Sequence, residues 1–516
     1  MIRSTDDYRA SLRSLRPRVF VDGRPVESVA DEPALQPGIN AVGTTYDFAL
    51  QPDYAGLMLA TESETGRTVN RMLHIDRSSD DLLRKLEAIR LLCREAGCVQ
   101  RYLVHDAFNG LYQATRRCDA EEGTSYFERF RDFMLEVQDS NLAYGIAMTD
   151  AKGDRSRKPW QQAHPDSYLH VVEQRADGIV ISGTKAIVTG APYMHGYIVL
   201  PSRAMTADDG PFAVSCAVPI DAEGVTVSAR PAGRPGEAGA VFSRRYGQTT
   251  GIVMFDRVFV PTERVFLNGE TGQSEYLTRS YATHHRHSCI AARAGFGDLL
   301  IGAGATIIEA NGLDTERHGH LRETMVELIK IVEGFFATGV AASTYGRDEG
   351  WGTIMPDPVF SNIGKLLMAT QIYDMHRLAH TVTGGLVVAL PGPDEDHNPH
   401  TRATLSEVLQ GNPAIPSAHR LQTVRLLEDL TASHQAGWYS VMSLHGGGSP
   451  EAMKREIWRN YPVGEKQELV RSLMERDMLE RTDGSRPDRQ PGRCCPVGCR
   501  VPDFVKQAPL PREAAE

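Results

Sequence analysis

Two short runs of the sequence concentrate side chains that can bind, protonate or attack a ligand. The first runs from Cys98 to His105 (CVQRYLVH) and holds a thiol, a guanidinium, a phenol and an imidazole. Together these groups can bind an anion, ligate a metal or move a proton. The alternative is an ordinary helix start at the surface with its usual polar residues, and spacing alone leaves both interpretations open.

The second run, from Tyr281 to Cys289 (YATHHRHSC), brings three imidazoles and one thiol to the start of a helical segment. Groups at this density can hold a metal ion, and one histidine can act as a general acid or base near neutral pH. Because His284 and His285 point to different faces of a helix, we expect only one or two of these side chains to be functional.

The elements that must position these runs can be predicted from periodicity. Apolar spacing predicts a helix from about Asp80 to Ala96, ended by Gly97, with Cys93 packed on its buried face. The first candidate run therefore begins directly after a helix end.

The 516 residues correspond to roughly three domains at about 100–200 residues each. Residues 1–143 are mainly helical in pattern, 144–270 alternate like antiparallel strands, and 271–478 return to the helical period in long segments. Residues 479–516 are a Pro-rich tail. The sequence thus predicts an α+β fold with an N-terminal helical domain, a central antiparallel β domain and a C-terminal helix bundle.

Charge and composition exclude several classes of protein. The net charge of −10 repels phosphate backbones, so we expect no nucleic-acid partner. We find no run of about 18 apolar residues and no leader-like N-terminus, which predicts a cytoplasmic protein that does not cross a membrane. Eight cysteines are too few for a disulfide scaffold, so we expect thiols, ligands or catalytic groups.

Common catalytic motifs are missing from the sequence. It contains no HExxH zinc helix, no Gly-Lys-Ser/Thr phosphate loop and no GxSxG nucleophile elbow. The run Gly302 to Ile307 starts like a dinucleotide fingerprint, but it lacks the third glycine and does not follow a predicted strand.

Two runs of the β segment carry a family resemblance. Gly145 to Ser156 (GIAMTDAKGDRS) and Gly183 to Gly190 (GTKAIVTG) resemble the flavin-binding segments of the acyl-CoA dehydrogenase superfold. They are most similar to its 4-hydroxyphenylacetate 3-hydroxylase and 4-hydroxybutyryl-CoA dehydratase family, as are Phe255 to Phe266 and His445 to Pro450. The resemblance covers roughly residues 1–475.

The resemblance implies an acyl-CoA dehydrogenase-like fold in which the central β domain is a barrel and FAD lies between barrel and bundle. It also implies a homodimer or homotetramer. The cofactor-binding residues that it indicates are Met148, Thr149, Arg155, Gln162, Lys185, Thr189 and Gly448. Hydroxyl and backbone groups would contact the ring, while Arg155 and Lys185 would be its counter-charges or those of the pyrophosphate.

The dehydratases of this family hold a 4Fe-4S cluster with three cysteines and a histidine. Cys98 and His285 stand where one cysteine and the histidine would be, but Tyr102 and Ala292 occupy the other two positions. Cys289 replaces the dehydratases' catalytic tyrosine, and Met442 stands where we expect their glutamate. We therefore predict no metal site, although the flanking sequence is closer to the dehydratases. Three further cysteines are candidates for additional ligands, but their Pro-rich setting favours a flexible tail: Cys494, Cys495 and Cys499.

The hydroxylases take reduced FAD from a separate reductase and hydroxylate a phenol with O2 through a C4a-hydroperoxyflavin. Their Arg-x3-Tyr loop is matched here by Arg101-x3-His105, and Ile146 replaces a substrate-side histidine. The resemblance thus implies four catalytic residues: Arg101, Tyr102, His105 and His285. We predict a two-component FADH2-dependent monooxygenase of an aromatic or phenolic small molecule. The alternatives are a dehydratase or isomerase of a hydroxyacyl-CoA without the cluster, and a non-enzymatic flavin-binding protein.

Overall fold

The computed structural model describes residues 1–233, 237 and 239–483. The N-terminal segment is mostly helical and contains two short pairs of strands. Its elements are α1 (Thr5–Arg13), β1 (Val19–Val21), β2 (Arg24–Pro25), α2 (Gln36–Leu50), α3 (Pro52–Met58), β3 (Leu59–Thr61), β4 (Thr68–Asn70), α4 (Ser79–Ala96), α5 (Tyr102–Glu122) and α6 (Tyr126–Ser140).

Helix α4 confirms the prediction from periodicity almost to the residue. Ser78 and Asp81 form a reciprocal capping box at its start. Gly97 ends it with a φ of +66°, and a Cβ at this position would lie 2.5 Å from Oη of Tyr439. The glycine therefore permits both the turn and the close approach of a C-terminal helix, which places Cys98 at the junction.

The central segment holds eight strands and one short helix. They are β5 (Tyr144–Ala147), β6 (His170–Arg175), β7 (Gly178–Thr189), β8 (Gly196–Val199), β9 (Val214–Pro219), β10 (Val225–Arg230), α7 (Val241–Tyr246), β11 (Thr250–Pro261) and β12 (Val265–Asn268). The hairpin of β6 and β7 turns at Ala176-Asp177, between the paired residues Arg175 and Gly178.

The sheet topology corrects the predicted antiparallel barrel. Within the described residues the strands of the central segment, together with β1 and β2, form two sheets, ordered β2-β1-β10-β11-β7-β6 and β12-β9-β8-β5, and no closed barrel. Two pairs are parallel, β1 with β10 and β5 with β8. The first sheet takes β1 and β2 from the N-terminal segment, so that segment is not only helical. Alternating hydrophobicity predicts that a strand forms but not which strand it pairs with.

The C-terminal segment is a helical assembly with one small hairpin. Its elements are α8 (Thr271–Ala310), α9 (Gly319–Thr344), β13 (Arg347–Gly350), β14 (Thr353–Met355), α10 (Pro358–Thr383), α11 (Arg402–Val408), α12 (Ser417–Thr431), α13 (His434–His445), α14 (Pro450–Asn460) and α15 (Val463–Asp483). Helix α15 continues past residue 478, where we predicted the tail to begin. Residues 484–516, with Cys494, Cys495 and Cys499, lie outside the described residues.

Helix α8 is the central element of the molecule. Its 40 residues pack against α4 and α5 of the N-terminal segment and against α9 and α10 of the bundle. By length and composition it would pass as a membrane span, but 67% of its most apolar window is buried inside the protein. It is therefore the core helix that joins the two helical segments.

Candidate active site

A small cavity of about 40 Å³ lies where the N-terminal helices, the end of a strand and α8 meet. Such a volume is on the order of that needed to hold one or two water molecules. Its lining residues are Cys98, Gln100, Tyr102, Leu103, Thr189, His285, Cys289, Ala292, Arg293, Met368, Trp438, Met442 and Gly446. The cavity thus collects thiol, phenol, imidazole and guanidinium groups from segments far apart in sequence.

The four positions that hold a cluster in the dehydratases all line this cavity. They carry Cys98, Tyr102, His285 and Ala292. Ala292 has no ligating atom, and a phenol replaces a second thiolate, so this donor set does not fit a cluster ligated by three cysteines and a histidine. Among the described residues, no group of three or more His, Cys, Asp or Glu side chains is arranged to hold a metal ion.

Helix α8 presents one face to the cavity because His285, Cys289, Ala292 and Arg293 follow its helical period. Nε2 of His285 lies 3.5 Å from Sγ of Cys289, and its Nδ1 lies 3.1 Å from Oδ2 of Asp106 on α5. The other carboxylate oxygen of Asp106 accepts a hydrogen bond from Ser288 Oγ at 2.6 Å. Cysteine, histidine and aspartate are thus connected in that order.

The pKa values of this pair shift in opposite directions. Burial would lower the pKa of His285, but Cys289 and Asp106 outweigh burial and raise it to about 10. Burial would likewise raise the pKa of Cys289, yet the charge of His285 and its hydrogen bond bring it below the ordinary thiol value. These opposite shifts both favour the thiolate–imidazolium form of the pair.

The first candidate run also reaches the cavity, through Cys98 and Tyr102. Their Sγ and Oη atoms lie 3.9 Å apart, and burial raises the pKa of both groups. Cys98 and Tyr102 are therefore a neutral thiol and a neutral phenol, in contrast to Cys289.

Arg101 does not reach the cavity. Its guanidinium lies over the ring of Tyr46, 4.1 Å from the ring centroid, and donates to Thr45 Oγ1 at 3.3 Å and to the carbonyl of Asn141 at 3.1 Å. Adjacent helical positions lie about 100° apart, so Arg101 at the start of α5 faces away from the side that Tyr102 presents. The structure gives it a packing role inside the N-terminal segment.

His105 joins a second buried group, which we call the Asp76 centre: Asp76, Lys85, His105 and His284. The Asp76 carboxylate lies 3.4 Å from Lys85 Nζ, 3.3 Å from His105 Nε2 and 3.9 Å from His284 Nδ1. Neither His105 nor His284 lines the cavity. His287 instead contacts Ser343 Oγ at 2.8 Å, so His285 is the one histidine of the second run that lies at the site.

Of the residues expected to bind flavin, Thr189 lines the cavity and the other six do not. Thr189 lines the cavity, and within the described residues its hydroxyl has no hydrogen-bond partner. Gly448 adopts a φ of +109°. The carbonyls of Met148 and Thr149 are both used inside the sheet, at 2.8 Å from Lys185 Nζ and from Ala186 N respectively.

The expected counter-charges differ in their environment. Lys185 is buried, and its ammonium contacts Asp150 Oδ1 at 2.8 Å and donates to the Leu200 carbonyl at 3.0 Å, so it is not a free cation. Arg155 is exposed, and Gln162 closes the loop by accepting from Asp154 N at 2.9 Å.

Lys152, which the sequence did not single out, has several positively charged side chains around it. Burial, followed by the charge of Arg155, lowers the pKa of Lys152; Lys185 and Arg203 act in the same direction and the Asp150 carboxylate opposes them. The free Thr189 hydroxyl at the cavity and this concentration of positive charge fit a ring system with an anionic arm, as in FAD.

Sequence reasoning also missed Asp106, Arg293 and Lys365. Arg293 Nε donates to Ser443 Oγ at 2.5 Å, and burial lowers the pKa of Lys365 to about 8. The spacing from His285 to Cys289 signals a shared helix face, but no local signal identifies Asp106, which is 179 residues from His285.

Two family models match most of the chain: the 4-hydroxyphenylacetate 3-hydroxylase N-terminal model over residues 4–267 and its C-terminal counterpart over residues 274–475. The chain is 33% identical to the 4-hydroxybutyryl-CoA dehydratase/vinylacetyl-CoA-Δ-isomerase of Clostridium aminobutyricum, over 92% of this chain and 99% of that protein. It is 24% identical to the oxygenase component of 4-hydroxyphenylacetate 3-monooxygenase from Thermus thermophilus, over 93% and 98%.

Solved structures agree with these similarities. An oxygen-tolerant archaeal 4-hydroxybutyryl-CoA dehydratase from N. maritimus superposes with a TM-score of 0.88 at 35% identity, covering 92% of this chain and 95% of that one. The oxygenase component of a 4-hydroxyphenylacetate 3-monooxygenase, solved with FAD, shares the fold with a TM-score of 0.82 at 22% identity, over 92% and 99%. The resemblance seen in the flavin runs is thereby confirmed, and the chain belongs to the 4-hydroxyphenylacetate 3-hydroxylase family, which also includes the 4-hydroxybutyryl-CoA dehydratases.

Proposed function

We propose that the protein is a flavin-dependent monooxygenase that hydroxylates an aromatic or phenolic small molecule, using O2 and reduced FAD from a separate reductase. The observation that carries this proposal is that Tyr102 and Ala292 line the same cavity as Cys98 and His285. At two of the positions that the resemblance assigns to cluster ligands, the cavity carries the phenol of Tyr102 and the methyl group of Ala292. What remains is suited to binding an organic substrate by hydrogen bonds and charge.

The chain's own residues can perform the binding steps of such a reaction. The Arg293 guanidinium at the cavity attracts a phenolate oxygen, and the Tyr102 hydroxyl orients it by a hydrogen bond. The Cys289 thiolate, paired with His285, can accept the phenol proton. Arg293 and Tyr102 thus supply the guanidinium and phenol that the resemblance led us to expect from Arg101 and its loop.

The flavin would be held at the edge of this cavity. Thr189 and Trp438 line the wall between β7 and α13, while Lys152 and Arg155 carry positive charge suited to the pyrophosphate. When bound, reduced FAD supplies the electrons and the site of oxygen activation. The protein's part is to orient the substrate and exclude water.

We also propose that the chain works in the cytoplasm as a homodimer or homotetramer. Supporting self-association, the face of β7 and β11 exposes Ile187, Ile252 and Met254 to solvent. Apolar side chains grouped on a sheet face favour burial against a second surface.

A second candidate is a dehydratase or isomerase of an acyl-CoA that uses flavin without the cluster. It is favoured by the 33% identity to the Clostridium aminobutyricum dehydratase/isomerase, compared with 24% to the Thermus thermophilus oxygenase. The Cys289–His285 pair is also a base that could move a proton along an acyl chain.

One experiment separates the two candidates. The purified protein is incubated with FAD, a flavin reductase and NADH under isotopically heavy O2 with a panel of phenols, and product mass is measured. Heavy oxygen in the product supports the monooxygenase. Turnover of 4-hydroxybutyryl-CoA or vinylacetyl-CoA without O2, with deuterium taken up from heavy water and no oxygen incorporated, would establish the second candidate instead.

The matched variants are Tyr102→Phe and Tyr373→Phe. Tyr102 lines the cavity, whereas Tyr373 on α10 is half exposed to solvent. We expect loss of hydroxylation only with Tyr102→Phe.

A further inference from the structure

Cys289 is the most accessible of the five cysteines that the structure describes. Its exposed fraction is 8%, compared with 2% for Cys98, 1% for Cys118 and 0% for Cys93 and Cys216. Its side chain lines the cavity. Accessibility and a thiolate are the two requirements for a reactive cysteine.

The neighbours of Cys289 form the arrangement used by nucleophilic cysteines. The sulfur lies beside the His285 ring, 3.5 Å from Nε2 and 3.9 Å from Nδ1, and Asp106 Oδ2 lies 3.1 Å from Nδ1. Asp106 is itself fixed by Ser288, so the order of contacts is thiol, imidazole and carboxylate. In the part of the chain that the structure describes, these residues do not belong to any group of three or more His, Cys, Asp or Glu side chains arranged to hold a metal ion.

The charges that face Cys289 come from several elements. The cationic groups are His285, Arg286 and Arg293 on α8 and Lys365 on α10. The one carboxylate is Asp106 on α5. The remaining titratable neighbours are phenols and thiols: Tyr281 on α8, Tyr102 on α5, Cys93 on α4 and Cys98 in the loop after α4. Cationic groups therefore outnumber the single carboxylate. A positive surrounding of this kind favours a thiolate over a thiol.

We propose that Cys289 is a nucleophilic thiolate that bonds covalently to α,β-unsaturated carbonyl compounds. The sulfur lone pair forms a bond to the β-carbon, and the electron pair of the carbon–carbon double bond moves to the α-carbon. That carbon takes a proton from the His285 imidazolium, so thiolate and imidazolium are both neutralised. The step needs no oxidant, reductant or other co-reactant.

This inference does not depend on the proposed function. An α,β-unsaturated carbonyl can come from an enoyl thioester or from a quinone, and both present the same electrophilic carbon to sulfur. The two sources differ in size and charge, so separate arms of one experiment distinguish them.

The experiment exposes the purified full-length protein briefly to N-ethylmaleimide, crotonyl-pantetheine or 1,4-benzoquinone, each in a separate arm. Intact mass gives the number of adducts, and peptide mapping separates Cys289 from the other cysteines. We expect Cys289 to react first in the maleimide arm and in at least one other arm, and that arm names the source. No adduct at Cys289 with either the thioester or the quinone would overturn the proposal.

The pH dependence of the wild-type protein is a second readout that requires no variant. A thiolate favoured by an imidazolium should react between about pH 7 and about pH 8 at a rate that rises much less than tenfold. A rate that rises about tenfold per pH unit over this range belongs to an ordinary thiol and would contradict the proposal.

Variants then test the partners of the sulfur. His285→Gln and Asp106→Asn should slow alkylation of Cys289 at neutral pH by roughly tenfold or more, as expected for a thiol pKa raised by about one unit. Cys98→Ser is the matched control, since Cys98 lines the same cavity without an imidazole partner, and it should leave the rate unchanged. Faster labelling of Cys98 than of Cys289 would again overturn the assignment.

Discussion

Asp106 on α5 and His285 on α8 are 179 residues apart in sequence, yet Asp106 Oδ2 lies 3.1 Å from His285 Nδ1. This contact holds the imidazole with its ring beside Cys289, whose Sγ lies 3.5 Å from Nε2 and 3.9 Å from Nδ1. The acid–base character of the cavity therefore depends on the packing of α5 against α8.

The first prediction concerns the loss of this carboxylate. Asp106→Asn should lower the pKa of His285 from about 10, because the negative charge that stabilises the imidazolium is gone. The shift can be followed by NMR of the ring protons across a pH titration. Ser288→Ala, which removes the other hydrogen bond of Asp106 but leaves its charge, should move the pKa much less.

The second prediction concerns how the stability of the folded protein depends on pH. Since the folded pKa of His285 lies above the unfolded value of about 6.5, its stabilising contribution is full below that pH and is lost as pH rises through about 10. Asp106→Asn should therefore cost on the order of 1–3 kcal/mol of unfolding free energy near pH 6 and less near pH 10. Urea unfolding at both pH values measures the difference, and an equal cost at both would contradict the assignment.

A third prediction restores the missing ligands. The double substitution Tyr102→Cys/Ala292→Cys would add two thiols beside Cys98 and His285, completing the donor set that the resemblance implies for the dehydratases, with Cys289 as a fourth thiol at the cavity. After anaerobic reconstitution we expect about four irons per chain in the double variant and no stoichiometric iron in the wild type or in either single variant. Iron and sulfide analysis provides the measurement. Stoichiometric iron in the wild type would show that the cavity binds a cluster through ligands other than these.

The fourth prediction addresses flavin binding. Thr189→Val keeps the shape of the side chain but removes a hydroxyl that faces the cavity, so FAD should bind about five- to tenfold more weakly, close to the value of one hydrogen bond. Flavin fluorescence in a titration reports the dissociation constant. Thr226→Val, on β10 and away from the cavity, is the control that should bind FAD normally.

The fifth prediction concerns the turn before Cys98. Gly97→Ala places a Cβ in a left-handed conformation and 2.5 Å from Tyr439 Oη, so it should destabilise the protein by roughly 2–4 kcal/mol. Gly66→Ala is the matched control, since Gly66 has a φ of +68° but open space around it. It should cost only about 1 kcal/mol in thermal or urea unfolding. Tyr439→Phe combined with Gly97→Ala should recover part of the larger loss.

Features set by neighbouring residues were predictable from the sequence. The limits of α4 follow from a capping serine, an apolar period and a terminal glycine, and all of these signals act within one helix. The convergence of Cys98 and His285 was expected from the family resemblance, and both line the cavity.

Features set by packing were not predictable. Arg101 and Tyr102 are adjacent in sequence, yet one side chain enters the protein core and the other the cavity, because the first turn of α5 separates their directions. The parallel pairing of β1 with β10 joins residues about 200 positions apart, which no local pattern records. Asp106 was missed for the same reason.

The cavity is built across the boundary between the two matched family regions. Cys98 and Tyr102 belong to the first region, whereas His285, Cys289 and Arg293 belong to the second. The Asp76 centre crosses the same boundary through His284. A chimaera that joined the first half of this chain to the second half of a relative would therefore pair the Cys98–Tyr102 side of this cavity with another protein's residues on the opposite side.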